Sequence, residues 1–113
     1  MTTPAPRPRP YTAVLHLDGV SDKAAFLDRC ARDLRLPDWF GRNWDALADC
    51  LTDLSWWGEP TGYLLRVQGW AAFRAADPAA AETAAEILTE AADYWTRNGT
   101  PFTVVYDTED GET

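Results

Sequence analysis

The chain has 113 residues, 46% hydrophobic and 25% charged, a composition typical of one globular domain rather than a disordered chain. Its formal net charge of -8 predicts repulsion from nucleic-acid phosphates and from anionic membranes. The charge thus argues against nucleic acid and membrane as partners and favours a basic protein. Acidity that only aids solubility is the simpler alternative.

The N-terminal segment MTTPAPRPRP, residues 1–10, is predicted to be a flexible arm. A polyproline II ligand for another protein is the alternative use of its prolines. No apolar run follows its two arginines, so it does not resemble a secretory signal, and no run approaches the roughly 18 residues of a membrane span. We therefore expect a cytoplasmic protein, with residues 11–107 as the domain and 108–113 as a polar tail.

Turn residues and hydrophobic patterns divide the domain into alternating strands and helices. In chain order we predict a strand at residues 11–17, a helix capped by Ser21 and running through residue 34, a loop at 37–42, a helix at 43–53 capped by Asn43, a loop at 55–62, a strand at 63–68, a helical turn at 70–75, a helix from Pro78 to residue 97, and a strand at 102–106. This alternation predicts an α/β fold with a parallel sheet. The continuous apolar runs of the second and third strands predict burial on both faces.

The helix at 43–53 has two chemically different faces. Its apolar stripe, which we expect to face the core, consists of Trp44, Leu47, Leu51 and Leu54, with Cys50 at its edge. The other side carries Asp45, Asp49, Thr52 and Asp53. Like charges at spacing four cost a helix about 0.2–0.5 kcal/mol per pair, and the helix dipole favours only Asp45. The three carboxylates therefore need a reason other than helix stability.

The helix that starts at Pro78 repeats this division, because its acidic side chains share one face: Glu82, Glu86, Glu90 and Asp93. Between residues 43 and 96 the only cations are Arg66 and Arg74. A merely solvated face usually intersperses charges of both signs. This segregation predicts a surface shaped for a cationic partner, with drift in the absence of a partner as the alternative.

Few residues of the chain can bind a metal or act as a nucleophile. Cys30 and Cys50 each fall inside a predicted helix, and we expect them to be buried, unpaired thiols. With His16 as the single histidine, expected to be packed within a strand or to lie at its edge, we predict no metal and no cofactor. A Ser-His-Asp hydrolase, or a glycosidase that uses Asp45 and Asp49, is a weaker alternative, because the sequence indicates neither a nucleophile elbow nor a sugar cleft.

The segment LRLPDWFGRNWDALADCLTD, residues 34–53, resembles the most characteristic segment of the barstar family, the intracellular inhibitors of secreted bacterial ribonucleases. The shared pattern is Leu-x-Leu-Pro, an acid, two aromatics, Gly, x, Asn, x, Asp-Ala-Leu, x, Asp-Cys-Leu-Thr. The order of predicted elements over residues 11–107 agrees with the family. The resemblance implies a barstar-like α/β fold, a three-stranded parallel sheet packed by about four helices.

The resemblance also implies a binding surface formed by the second helix and the loop before it, which in the family plug the ribonuclease active site. The carboxylate of Asp49 would occupy the substrate phosphate position, against the catalytic cations of the enzyme. Asp45 and Trp39 would also contact the enzyme. The other implied contacts are Asn43 just before the helix, Thr52 at the same surface and Glu90 on the last helix.

Three features depart from the family pattern and predict different contacts at the rim of the surface. Ala48 stands where the best-known member has a bulky aromatic, and Asp53 replaces a glycine after the threonine. We include both among the expected contact residues. The loop at residues 55–61 is longer, and its Trp56 and Trp57 are expected either to cover the end of the sheet or to add contact area.

We therefore expect a protein without enzymatic activity that binds a basic, secreted, guanyl-preferring ribonuclease one to one and blocks its active site. The alternative is an immunity or docking module for a different basic toxin or nuclease. A small hydrolase is a third hypothesis, which the lack of a catalytic constellation weakens. Inhibition of RNA cleavage by a co-purified ribonuclease would separate the first two, and intrinsic activity on any substrate would support the third.

Overall fold

The computed structural model, which describes residues 10–58 and 60–107, contains a parallel sheet of three strands. In the order in which they pair, these are β1 (Tyr11–His16), β2 (Tyr63–Gln68) and β3 (Phe102–Tyr106). Tyr11 lies opposite Tyr63, which lies opposite Phe102, so three aromatic residues begin the strands side by side. The predicted strand bounds are confirmed, except that β1 ends one residue earlier.

Four α-helices connect the strands, which confirms the predicted fold class: α1 (Lys23–Asp33), α2 (Trp44–Leu51), α3 (Trp70–Ala76) and α4 (Pro78–Arg97). The predicted cap of α2 is confirmed, because the side chain of Asn43 accepts the backbone N–H of Ala46 at 2.7 Å. At the start of α4, the carboxylate of Asp77 accepts the N–H of Ala80 at 3.1 Å. Pro78 occupies the first turn of α4, where a missing N–H costs nothing.

The predicted cap of α1, Ser21, is wrong. The cap is Asp22, whose carboxylate accepts the N–H of Ala25 at 2.8 Å. Aspartate and serine cap helices about equally well, so local preference cannot choose between two neighbours. The choice depends on packing, because α1 must begin where its apolar residues, one and two turns later, face the core.

The helices cover one face of the sheet, so the predicted burial of β2 and β3 on both faces is wrong. Because the strands follow one another across the sheet in chain order, right-handed crossovers carry the connecting helices over the same face. Phe26 of α1 stacks on Phe73 of α3 with ring centroids 5.1 Å apart, so helices from both crossovers meet. On the other face Arg66 and Val105 are exposed to solvent.

The core between the sheet and the helices is built mainly from leucine and aromatic side chains. Its largest fully buried members are Phe26, Phe73, Leu15, Leu17, Leu27, Leu34, Leu47, Leu51, Leu54, Leu65, Leu88 and Val67. Cys30 and Cys50 are buried, unpaired thiols in this core, as predicted. Burial raises the pKa of both thiols, and nearby negative charges raise it further, from Asp33 for Cys30 and from Asp53 and Asp49 for Cys50.

The two adjacent tryptophans of the loop after α2 have different environments. Trp57 ends a 3-10 turn (Ser55–Trp57), is buried, and stacks on Tyr11 with ring centroids 4.3 Å apart. Its indole N–H donates to the carbonyl of Leu34 at 3.1 Å. Trp57 therefore covers the end of the sheet where β1 begins. Trp56 is half-buried and meets the ring of Trp39 edge-on at 6.4 Å.

His16 lies at the end of an edge strand, as predicted, and its Nδ1 is 3.2 Å from Oδ2 of Asp33. No helix in the described part of the chain is long and apolar enough to cross a lipid bilayer. Residues 1–9 of the predicted arm, the predicted tail at 108–113 and Glu59 lie outside the described residues. The division of the chain into arm, domain and tail stays a prediction.

The buried thiols are expected to be protected from modification. In the native protein at pH 8, Cys30 and Cys50 should react with a disulfide reagent far more slowly than in urea, because burial disfavours the thiolate. Cys50→Ala should cost about 1 kcal/mol of stability through a small cavity and leave binding intact. Rapid labelling of the native protein, or a change in binding on adding reductant, would contradict this prediction.

The neighbouring tryptophans provide a matched pair for measuring stability. Trp57→Ala should lower the free energy of unfolding by about 3–5 kcal/mol, because it removes a buried ring and leaves the Leu34 carbonyl without its donor. Trp56→Ala should cost about 1 kcal/mol, because that ring is only half-buried. Urea midpoints of both variants test this, and equal losses would contradict it.

Candidate functional site

The α2 helix divides into a buried and an exposed face, as its sequence predicts. Three residues of the buried face are fully or almost fully enclosed: Leu47, Cys50 and Leu51. Trp44, predicted to be in the core, is only half-buried, with the ammonium of Lys23 5.5 Å from its ring centroid. Asp45 and Asp49 lie exposed on the opposite face, one turn apart.

The third of the three carboxylates predicted to share a helix face, Asp53, lies beyond the helix. The α2 helix ends at Leu51, and Asp53 belongs to the turn that follows, so the prediction of a helix through residue 53 is wrong. Leu54 takes a left-handed backbone conformation with φ 52°, which ends the helical path and returns its buried side chain to the core. One oxygen of Asp53 accepts the N–H of Ser55 at 3.3 Å. Asp53 thereby supports the turn that follows α2.

The loop before α2 separates its two aromatic residues. Phe40 is buried, whereas Trp39 is 64% exposed, the most exposed large hydrophobic side chain in the described part of the chain. The N–H of Phe40 donates to the carbonyl of Pro37 at 2.9 Å. Arg42, in a left-handed conformation with φ 54°, places its guanidinium Nε 2.7 Å from the carboxylate of Asp28 on α1. These contacts anchor the loop while Trp39 projects into solvent.

Three further predicted site residues shape the surface around the carboxylates. Asn43 uses its side chain to cap α2 and is itself exposed. The hydroxyl of Thr52, at the end of the helix, donates to the carbonyls of Ala48 and Asp49 at 3.1 and 3.2 Å. Ala48 is half-buried, and its methyl group fills little space on the helix surface beside Asp49.

The α4 helix packs against α2 and carries the second set of carboxylates. The exposed acids of α4 are Glu82, Glu86, Glu90 and Asp93. The indole N–H of Trp95, near the end of α4, donates to the carbonyl of Leu51 at 2.7 Å. This bond satisfies a free carbonyl at the end of α2 and fixes the two helices at that point. Sequence patterns place Trp95 on an apolar stripe but give no signal for this contact, which joins residues far apart in the chain.

The ion pairs among the described residues leave these acids unpaired with any cation. Four such pairs occur, and they join His16 to Asp33, Arg32 to Asp33, Arg42 to Asp28 and Arg66 to Asp107. None of them includes an acid of α2, α4 or the turn after α2. The negative charge predicted from the sequence is thus presented to solvent, and no described cation compensates it.

Asp33 is the acid whose pKa the fold shifts most clearly through its internal hydrogen bonds. Burial would raise the pKa of this carboxylate, but hydrogen bonds from Arg32 and His16 outweigh burial and lower the pKa below its usual value. Two of these bonds are the N–H of His16 at 2.8 Å and the Nε of Arg32 at 2.7 Å. Because its pKa is lowered in the folded state, Asp33 stabilises the fold above its unfolded pKa, and this is lost as the pH falls through the folded value.

The exposed face of α2 has the groups that a cationic partner would bind. The described residues contain no group of three or more His, Cys, Asp or Glu side chains that could hold a metal ion. Among the same residues, the imidazole of His16 contacts Asp33 through Nδ1, and no hydrogen bond joins that ring to a serine hydroxyl. Asp45 and Asp49 form part of an open, exposed helix face. Such a face, with Trp39 beside it, can accept cationic donors and bury an aromatic ring against a partner.

Comparison with known proteins agrees with this geometry. The family model described as Barstar (barnase inhibitor) matches residues 11–107, which include all three strands and all four helices. No individual curated protein matches the chain. The match spans most of the sequence, and the parallel sheet with its four helices is consistent with a barstar-like fold. The chain therefore belongs to the barstar family, whose members are inhibitors of ribonucleases.

Proposed function

We propose that this protein inhibits a basic, secreted, guanyl-preferring ribonuclease by covering its active site with α2 and the loop that precedes it. The observation that carries the proposal is the pair of exposed carboxylates, Asp45 and Asp49, which no cation of the described residues neutralises and which lie on a helix next to an exposed tryptophan, Trp39. A ribonuclease active site binds phosphate and is therefore lined by cations. Membership of the barstar family supports the same target class.

Asp49 is the central residue of the proposed contact. In the free protein its carboxylate is hydrated and repelled by Asp45 one turn earlier. In the complex it would take the place of a substrate phosphate and accept hydrogen bonds from several cationic side chains. Charge-assisted hydrogen bonds are strongest where water is excluded, so the gain on binding exceeds the cost of leaving water.

The neighbours of Asp49 complete the proposed surface. Trp39 would bury its exposed ring against the enzyme, as aromatic hot spots do. Asn43 and Thr52 would lie at the two ends of α2, and Ala48 would let the enzyme approach the helix closely. The contacts at the rim would come from Asp53 and from Glu90 on α4. Because both ends of α2 are held by internal hydrogen bonds, the surface is preorganised.

The proposed inhibitor acts stoichiometrically, one protein to one ribonuclease, since a single α2 fills a single active site. It requires no cofactor and performs no catalysis of its own. An inhibitor of a secreted ribonuclease protects the RNA of the cell that makes the enzyme, so the proposed site of action is the cytoplasm. Interaction with nucleic acid or a membrane is not part of this function, because the surface is acidic.

A second candidate function is an immunity or docking module for a different basic toxin or nuclease. The observation that favours it is the altered rim, where Ala48 is small and Asp53 adds a charge beside α2. Inhibition assays with barnase and with a guanyl-preferring fungal-type ribonuclease separate the two. Inhibition of either enzyme at equimolar protein supports ribonuclease inhibition, and inhibition of neither favours the second candidate.

Removing the central carboxylate tests the proposed contact. Asp49→Ala should weaken ribonuclease binding by on the order of 4 kcal/mol, or about a thousandfold in Kd, because it leaves the cations of the enzyme buried and unpaired. Folding should be unchanged or slightly more stable, because repulsion by Asp45 is relieved and alanine favours a helix. Inhibition constants and urea midpoints measure the two effects.

Asp18→Ala is the matched control for that variant. Asp18 is an exposed carboxylate in the turn after β1, so its removal changes the net charge equally. It should leave the inhibition constant within about threefold of wild type, because distant exposed charges are screened. Full inhibition by Asp49→Ala, or an equal loss in both variants, would exclude α2 as the part that fills the active site.

Salt dependence tests the role of the unpaired acids in association. The association rate constant should fall by at least about tenfold between roughly 0.05 and 0.5 M NaCl, because added salt shortens the range over which the acidic faces attract a basic enzyme. The dissociation rate should change much less. Stopped-flow fluorescence of the tryptophans can follow both, and an association rate that does not change with salt would contradict electrostatic steering.

A further inference from the structure

A cavity of about 400 Å³ opens beside the end of α2, next to the surface described above. Asp53, Ser55 and Pro60 line it on the side of the loop, and Tyr63, Trp95 and Thr100 line it on the side of β2 and α4. Tyr63 is the most buried of these lining residues, with only 6% of its surface exposed. We propose that this cavity, the Asp53 pocket, binds an arginine side chain of the ribonuclease as a second anchor, an inference that rests on the proposed function.

The aromatic side of the Asp53 pocket is rigid. The rings of Tyr63 and Trp95 meet edge to face with centroids 5.0 Å apart. The indole of Trp95 is held by its N–H, which donates to the Leu51 carbonyl at 2.7 Å, and the backbone carbonyl of Trp95 accepts the N–H of Thr100 at 2.8 Å. A preformed aromatic wall of this kind attracts a cation without a cost for ordering its own side chains.

The charge of the Asp53 pocket is negative. Asp53 is its one ionisable carboxylate among the described lining residues, and none of those residues is a cation. One oxygen of Asp53 accepts the N–H of Ser55 at 3.3 Å, which leaves the second oxygen available to an incoming donor. No ion pair among the described residues includes Asp53. The described lining of the pocket therefore supplies a carboxylate and an aromatic wall, and no cation of that lining satisfies them.

Arginine fits these lining groups better than lysine does. Its planar guanidinium can stack on an aromatic ring while two of its N–H groups point at one carboxylate, and it is more weakly hydrated than an ammonium ion. A pocket of this volume falls within the range that holds small ligands, so a side chain of that length can enter. A lysine would place one point charge near Asp53, and its ammonium group could not stack on the aromatic rings as a planar guanidinium does.

The position of the pocket makes a partner residue the natural occupant. Asp53 follows Asp49 by four residues, and the loop that lines the pocket continues directly from α2. A basic enzyme that covers Asp49 therefore extends over the mouth of the pocket. Asp53 and the longer loop are also two of the places where this sequence departs from the family pattern. The pocket is thus suited to selecting one ribonuclease among several.

The pocket can be tested without any ribonuclease. We would titrate the 15N-labelled protein with N-acetyl-arginine methylamide and, as a neutral probe of the same shape, with N-acetyl-citrulline methylamide. The arginine probe should shift the indole N–H signal of Trp95 and the amide signal of Ser55 saturably, and the citrulline probe should not. In Asp53→Asn, which keeps the oxygen that accepts the Ser55 N–H, affinity for the arginine probe should fall by about tenfold.

Asp18→Asn is the control, since it removes the same charge from the turn after β1 and should bind the arginine probe like wild type. Equal shifts with both probes, no saturable shift with arginine, or an equal loss in Asp18→Asn would overturn the proposal. These results do not depend on the proposed function. A pocket that fails to bind arginine in a protein that inhibits barnase refutes only the second anchor. If the protein binds arginine but inhibits no ribonuclease, the proposed function is refuted, and the pocket remains an arginine-binding site.

Discussion

Burial of the apolar face of α2 is the constraint on which the rest of the structure depends. Three side chains of that face are fully enclosed in the core: Leu47, Cys50 and Leu51. Asn43 holds the start of the helix, and Trp95 holds its end by donating to the Leu51 carbonyl. With one face fixed in this way, Asp45 and Asp49 have no direction open to them except solvent. The acidic surface is therefore rigid before any partner arrives.

The charges of the molecule are arranged so that the acids of this surface find no partner within the described chain. Arg32, Arg42 and Arg66 each pair with an acid outside α2 and α4. Repulsion between neighbouring carboxylates lowers the stability of the free protein slightly. The same repulsion is relieved when cations approach, so an arrangement that is mildly unfavourable for folding favours association with a basic surface. Stability and the proposed binding thus make opposite demands on the same side chains.

Local sequence was sufficient for most of the fold. Hydrophobic periodicity and turn residues predicted all three strands and all four helices, because strands and helices have different periodicities. Pro78 and Asn43 marked helix starts, because both residue types have strong positional preferences there. The amphipathic division of α2 was also readable, since Asp45 and Asp49 fall on the face opposite its leucines. The resemblance over residues 34–53 supplied the candidate partner. These features are properties of short windows of chain, which is why a single sequence reveals them.

Tertiary structure alone decided the features that depend on contacts between distant segments. Asp22, and not Ser21, caps α1. The α2 helix ends before Asp53, so Asp53 lines the pocket at the end of the helix instead of sharing a helix face with Asp45 and Asp49. Tertiary structure also left one face of the sheet open, because the order of the strands, and not their composition, determines where the helices lie. The sequence determined which side chains are acidic and which helix carries them. Which groups surround each carboxylate depends on how α4 and the loop after α2 pack against α2, with Trp95 of α4 bonded to Leu51. Contacts between such distant segments leave no periodic signal in the local sequence.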